Sequence, residues 1–310
     1  MMNHLEKLTT PSGVISALAI DQRGALRRML GKDTSQKELE NFKILVSENL
    51  TPYASSILLD PEFGLPAATK RDSKCGLLMA YEKTGYDAET PGRLPDLIDN
   101  ESVKRLKEKG ADAIKLLVYV DIDEAASIND QKKAFVERVG SECAAEGLPL
   151  FLEIVSYDAN ISDKREYAKI KPHKVIEAMK AYADPRFNVA VLKVEVPVDM
   201  NFVEGFGADA VYSRKEAAAF YRQQAEATNL PFIFLSAGVS AQMFRDTLRF
   251  AKESGSTFNG VLCGRATWAG AAKIYKEAGS DKAADWLQTI GRSNITELGK
   301  LVEDLATPIN

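Results

Sequence analysis

Three apolar runs in this chain of 310 residues carry isolated charged side chains: Lys115 in 113–119, Glu153 in 151–155, and Lys193, with Glu195 two positions on, in 189–196. An unpaired charge in such surroundings costs several kcal/mol, roughly, so a lysine–glutamate–lysine set implies work beyond stabilisation. Desolvation disfavours the charged form of an amine, and a second lysine nearby pushes the same way. Lys115 is therefore expected to activate Lys193. Moving a lysine from about 10.4 to about 7 or 8 needs roughly 3 to 5 kcal/mol, within reach of the two effects together. A neutral amine attacks a ketone or aldehyde and forms an imine, which accepts electrons from a breaking carbon–carbon bond.

Each of these residues has a second reading. Lys193 alone fits a salt bridge with Glu153 or Glu195. Glu153 suits the base that takes a hydroxyl proton beside the bond that breaks, or simple charge balance for the lysines. Asp21, in Ala19-Ile-Asp-Gln-Arg-Gly24, suits loss of water from the carbinolamine or orientation of a lysine, and equally the N-cap of a following helix. Glu195 shares a face with Lys193 and is either its partner or a cap to the strand end at Pro197.

Two later segments offer a place for phosphate, 235–240 and 262–270, where small residues let backbone N–H groups approach an anion and Arg265 adds a forked cation. Ser236, Gly238, Gly264 and Arg265 are the expected ligands. A second phosphate would draw on Arg23, Arg71, Lys74, Lys83 or Arg93, among which the sequence does not select.

The rest of the composition narrows the chemistry. The histidines, His4 and His173, fall in an N-terminal tail and a helix-start segment, which disfavours zinc hydrolysis, metal-dependent aldol chemistry and Ser-His-Asp triads. Cys75, Cys143 and Cys263 are widely spaced and odd in number, so they form no disulfide framework or C-x-x-C motif and are expected to be buried. A net charge of −4 with scattered basic residues argues against nucleic acid. No apolar run approaches the ~18 residues of a membrane span, and the N-terminus lacks the basic-then-apolar order of a secretion signal, so a cytoplasmic location is expected.

Positioning these residues requires strands alternating with helices. Apolar runs at 14–21, 55–60, 76–82, 113–120, 148–157, 189–197, 231–237 and 259–264 alternate with helical patterns at 36–50, 101–109, 130–146, 172–183, 214–228 and 241–254. Eight strands with intervening helices predict a TIM (β/α)8 barrel with 1–310 as a single domain. A doubly wound sheet is the alternative, although G-x-G-x-x-G is missing after Asp21. In a barrel the site gathers at the C-terminal strand ends, and Asp21, Lys115, Glu153 and Lys193 are read there on strands 1, 4, 5 and 6. The segment 281–306 predicts one or two further helices.

Across these residues the chain resembles the class I tagatose 1,6-bisphosphate aldolase family, through Ala19-Ile-Asp-Gln-Arg-Gly-Ala25, Ser55-Ser-Ile-Leu-Leu-Asp-Pro61, Ala80-Tyr-Glu-Lys-Thr-Gly-Tyr-Asp87, Leu192-Lys-Val-Glu-Val-Pro197, Leu235-Ser-Ala-Gly-Val-Ser240 and Asn259-Gly-Val-Leu-Cys-Gly-Arg-Ala-Thr-Trp268. The resemblance implies a TIM-barrel enzyme that cleaves D-tagatose 1,6-bisphosphate reversibly to dihydroxyacetone phosphate and glyceraldehyde 3-phosphate, with neither metal nor cofactor. By the same match Lys193 forms the Schiff base and Glu153 moves the proton, with Lys115 and Asp21 beside them. Ser236 and Arg265 bind phosphate, and Gln22 is a further substrate contact. It also implies loose stereochemical control extending to fructose 1,6-bisphosphate, and a place on the tagatose 6-phosphate route of lactose or galactose use. A related branch acts on sulfofructose 1-phosphate, but the 82–87 loop and Gly24 are more similar to the tagatose branch. Other readings are a sugar-phosphate sensor with a protein partner, a deoxyribose-phosphate aldolase, or a pyridoxal-phosphate protein. Barrels of this kind often self-associate through outer helices, so a homo-oligomer is a further expectation.

Overall fold

A computed structural model describes residues 5–83 and 90–309. Among the described residues, eight parallel strands close into a barrel in chain order: β1 (Ile15–Ala19), β2 (Ser56–Leu59), β3 (Gly76–Ala80), β4 (Ala113–Val120), β5 (Leu150–Ser156), β6 (Val189–Val194), β7 (Phe232–Leu235) and β8 (Gly260–Cys263). The barrel and its eight strands are those expected; the doubly wound alternative is excluded, because β1 pairs with β8 as well as with β2. Most strands stop short of the apolar runs that announced them. Paired backbone ends where the chain turns into its loop, and Asp21, Ser236, Gly238, Gly264 and Arg265 lie just past those ends.

The surrounding helices are α1 (Gly24–Leu30), α2 (Gln36–Leu50), α3 (Leu65–Ala68), α4 (Val103–Glu108), α5 (Ala126–Glu146), α6 (Lys164–Tyr182), α7 (Arg214–Glu226), α8 (Ala241–Glu253), α9 (Arg265–Ala278), α10 (Ser280–Trp286) and α11 (Arg292–Leu305). Ser35 and Ser213 each form a capping box with a glutamate, which sets the first turns of α2 and α7. The helix expected at 172–183 begins at Lys164, where the Asp163 side chain accepts from Glu166 N, so Pro172 lies inside it rather than at its start. His173 is accordingly mid-helix, with Nε2 2.8 Å from an Asp123 oxygen. His4 and the 84–87 part of the 82–87 loop lie outside the described residues.

Both faces of the sheet are covered, which explains the near-continuous apolar strands. Outward side chains pack beneath the helices. Inward ones, among them Ile15, Leu58, Leu78, Phe151, Val191 and Ile233, fill the barrel. Leu5 and Leu8 pack into this inner cluster with Ile309 against it, at the N-terminal end of the strands. The opposite end stays polar.

Arg71 and Lys74 precede β3 and therefore belong to the N-terminal face. Arg71 donates to Cys75 O and Ala68 O, pinning its own loop. Their expected place beside the substrate is corrected: both follow strand β2 in the chain, but only after α3 has carried the backbone to the other end. Cys75, Cys143 and Cys263 are buried free thiols.

Candidate active site

The site begins with register. After Leu150, opposite Val189, the β5–β6 pairing shifts by one residue past Ala190, so that Phe151 faces Val191 and Glu153 faces Lys193. Such a shift re-aims every later side chain of one strand against its neighbour. Lys193 and Glu153 thus meet as lateral partners, with Nζ 2.7 Å from Oε1. Lys115 lies opposite Phe151, in the lower half of β4 rather than its later half as expected. Its long stem lifts the nitrogen to the same level, where Nζ meets Glu153 Oε2 at 2.8 Å, Asp21 Oδ2 at 3.1 Å and Glu82 Oε1 at 2.6 Å.

Asp21 follows the end of β1, in a turn held from behind. Lys43 of α2 donates to Ile20 O at 2.7 Å and to Gln22 O at 3.0 Å, and pairs with Asp60. Both partners of that pair are fully buried, and removing one would leave an uncompensated charge. Asp21 is no helix cap; α1 has no side-chain cap and starts after Arg23.

The electrostatics follow from this crowding. Burial opposes charge on Lys115, but Asp21, Glu153 and Glu82 outweigh it and hold its pKa well above the ordinary lysine value. Lys115 is thus held as a cation by the three carboxylates around it, beside the Glu153 that it shares with Lys193. Burial likewise opposes ionisation of Asp21 and Glu153, and Lys115 with Lys193 overcomes it, holding both carboxyls below their usual range. Glu82 goes the other way, pushed up chiefly by burial against the pull of Lys115. Both its oxygens accept hydrogen bonds, from Lys115 Nζ and from Leu117 N at 3.1 Å, a geometry suited to a carboxylate.

Glu195 is resolved as a brace. Its Oε2 accepts from Ser156 N at 2.8 Å and Ser156 Oγ at 2.6 Å, and its Oε1 meets Lys171 Nζ at 3.0 Å, tying β6 to β5 and α6.

In the loop after β7, one of the two expected to bind phosphate, the backbone turns sharply, with Ala237 at φ 49° and Gly238 at φ 79°. A Cβ on Gly238 would stand 3.0 Å from Arg265 Nη2, so the guanidinium lies over that glycine and joins the two loops. At Gly264 a Cβ would come 2.6 Å from Ala19 O, so only glycine lets β8 turn this close to β1.

A cleft of about 590 Å³ opens over these groups, lined by Asp21, Gln22, Lys115, Glu153, Lys193, Ser236, Gly264 and Arg265, with Gly238 behind Arg265. Gln22 Oε1 is buried there without a hydrogen-bond partner. Of the other cations, Arg23 reaches the cleft but is committed to Glu62 at 2.9 Å and Glu82 O at 2.6 Å, and Lys83 reaches it while paired with Asp96 and Asp99. Arg93 stacks on Tyr157 and Tyr119, with ring centroids 4.1 and 5.6 Å away. Sequence alone singles out neither Glu82 nor the cleft-lining Arg28 and Tyr119; the position of Glu82 just past β3, like Asp21 past β1, was the available signal.

The fold and the cleft can be set beside known proteins. A model of the DeoC/LacD family aldolases matches residues 15–270. The chain belongs to the DeoC/LacD aldolase family. This aldolase is 61% identical over 310 residues to the tagatose 1,6-diphosphate aldolase 1 of Enterococcus faecalis, covering 99% of this chain and 95% of that one. It is 57% identical over 313 residues to the tagatose 1,6-diphosphate aldolase of Staphylococcus epidermidis, covering 99% and 96%. Among solved structures, an archaeal fructose 1,6-bisphosphate aldolase superposes with a TM-score of 0.64 at 14% identity over 97% of this chain and 98% of that one. The fructose-bisphosphate aldolase of Plasmodium falciparum does so with a TM-score of 0.73 at 12% identity over 98% and 94%. At such identities the structural likeness speaks to the barrel alone. No helix among the described residues is long and apolar enough to cross a membrane.

Proposed function

We propose that this aldolase cleaves D-tagatose 1,6-bisphosphate to dihydroxyacetone phosphate and D-glyceraldehyde 3-phosphate through an imine on Lys193. The observation that carries it is the Glu153 carboxylate lying between two lysine nitrogens, 2.7 Å from Lys193 and 2.8 Å from Lys115, on the floor of a cleft whose rim holds Ser236 and Arg265. The names of the curated relatives support the substrate.

The geometry supports a closed proton inventory. Glu153 takes a proton from the Lys193 ammonium, and the freed amine adds to the C2 carbonyl. Glu153 returns that proton to the oxygen to give the carbinolamine, then takes a second proton from the nitrogen and delivers it to the hydroxyl, which leaves as water and produces the iminium. As a carboxylate again, it takes the C4 hydroxyl proton while the C3–C4 bond breaks, the electron pair moving to the iminium nitrogen and the aldehyde departing. The protonated Glu153 then protonates C3 of the enamine, and water hydrolyses the iminium to release dihydroxyacetone phosphate. Asp21 and Lys115 hold the charges around these steps, while Ser236, Gly238, Gly264 and Arg265 anchor a phosphate. Gln22 Oε1, lacking a protein partner, accepts from a substrate hydroxyl.

Borohydride reduction in the presence of dihydroxyacetone phosphate is expected to attach the ligand to Lys193 and to no other lysine. Turnover retained in Lys193→Met, or label placed elsewhere, overturns the reading. A coupled cleavage assay across tagatose, fructose and sulfofructose phosphates then ranks the substrates, with the tagatose compound expected first. We place the activity, on this reading, in the tagatose 6-phosphate route of lactose or galactose use.

A further inference from the structure

We propose that Glu82 is a positioning residue for the aldol reaction, fixing the Lys115 ammonium against Glu153. This rests on the roles given above to Lys193 and Glu153.

An ammonium has three N–H donors and no acceptor. Those of Lys115 face Asp21, Glu82 and Glu153 at 3.1, 2.6 and 2.8 Å, so no donor is left over and rotation about the last carbon–nitrogen bond would break a contact at every partner. Glu82 is the firmest of the three. Strand β3 ends at Ala80, and the ladder to β4 continues for one more backbone bond, Tyr81 N to Lys115 O. Beyond that the Glu82 carboxylate stands in for a missing strand residue by accepting from Leu117 N. The Glu82 backbone is clamped as well: its carbonyl accepts from Arg23 Nη2, and it bridges antiparallel to Leu97. The side chain is buried at the wall of the cleft, and among the described residues it hydrogen-bonds to Lys115 Nζ and Leu117 N, so its hold on Glu153 and Lys193 passes through Lys115.

Lys115 in this frame is a fixed cation, not a proton donor. It orients one oxygen of Glu153 and leaves the other turned to Lys193. Without Glu82 the ammonium loses its most rigid anchor, and Glu153 loses its aim.

The test is a double-mutant cycle between Glu82→Gln and Lys115→Met. Glutamine keeps the size of the side chain and can still accept from Leu117 N, but it presents an amide in place of a charge. Expected for Glu82→Gln is a fall in kcat on the order of 10²-fold with KM within about threefold of wild type, while borohydride still labels Lys193. In the Lys115→Met background the same substitution is expected to cost less than about threefold, since coupled residues fail to add. Deuterium exchange at C3 of dihydroxyacetone phosphate, followed by NMR over hours, keeps slow variants readable. An equal loss in both backgrounds means that Glu82 serves only the strand ladder, and unchanged kcat in Glu82→Gln means that it serves nothing; either result overturns the proposal. Should Glu82→Gln not fold, Glu82→Ala is assayed with formate, where restored turnover supports the proposal and a folded, unrestored protein refutes it. Failure of wild-type Lys193 to trap dihydroxyacetone phosphate sinks the proposed function instead.

Discussion

At the scale of single residues, the site shows how burial and charge compete. Lys115 is buried deeply enough to favour the neutral amine, yet three carboxylates keep it charged. Glu153 inherits the consequence: two nitrogens hold its pKa below the usual range, so it stays ionised as pH falls past the point where an ordinary glutamate is protonated. Activity that needs the Glu153 carboxylate should therefore persist into mild acid. In Lys115→Met the cation is gone, the Glu153 pKa rises, and the acid limb of kcat is expected to move to higher pH; a pH–rate profile on residual activity checks it, and an unmoved limb would mean that Lys115 does not control Glu153. Lys115, Glu153 and Lys193 are legible in the sequence because a lone charge inside a buried strand stands out. Glu82 is not, since it sits beyond a strand end next to Lys83, in company where charged residues are ordinary. Lys43 is hidden for another reason: α2 reads as a solvated amphipathic helix, and only the fold brings its nitrogen to Asp60.

At the scale of elements, what decides the site is the one-residue shift at Ala190. Had β5 and β6 run in unbroken register, Glu153 would lie opposite Leu192, and Lys193 would have no lateral carboxylate. Nothing in the alternation of 189–196 announces this, because a strand buried on both faces is apolar at odd and even positions alike. Helix α5 helps hold the start of β6: a Cβ on Gly140 would come 1.9 Å from Phe187 O, in the short turn that feeds that strand. Gly140→Ala is expected to lower stability by about 1 to 3 kcal/mol in urea melts, while kcat stays within about threefold because the strain falls at the N-terminal end of β6. The misplaced start of α6 has an equally local cause, the Asp163 cap prevailing over the pull of Pro172 toward a first turn.

At the scale of the molecule, closure of the sheet removes every edge strand and leaves two ends of unlike character. The architecture was legible because eight apolar runs separated by helical stretches leave few other arrangements. The seal of the lower end was not: Leu5 and Leu8 look like an ordinary tail, and only the folded chain shows them packed into the barrel with Ile309 against them. Deleting residues 1–8 is expected to cost roughly 3 to 6 kcal/mol, about that of uncovering two leucines, and to lower the melting temperature measurably. A stable truncated protein would show that the seal is dispensable.

Among the described residues, that plugged base leaves the enzyme a well whose doorway lies at the opposite end. Both fragments of a cleaved sugar must use it, yet only one of them is free to go, because the other is still moored to nitrogen. Departure is thus sequential, and in the interval the moored fragment can greet a different aldehyde through the same door, so the protein that breaks this bond is equally fitted to build others.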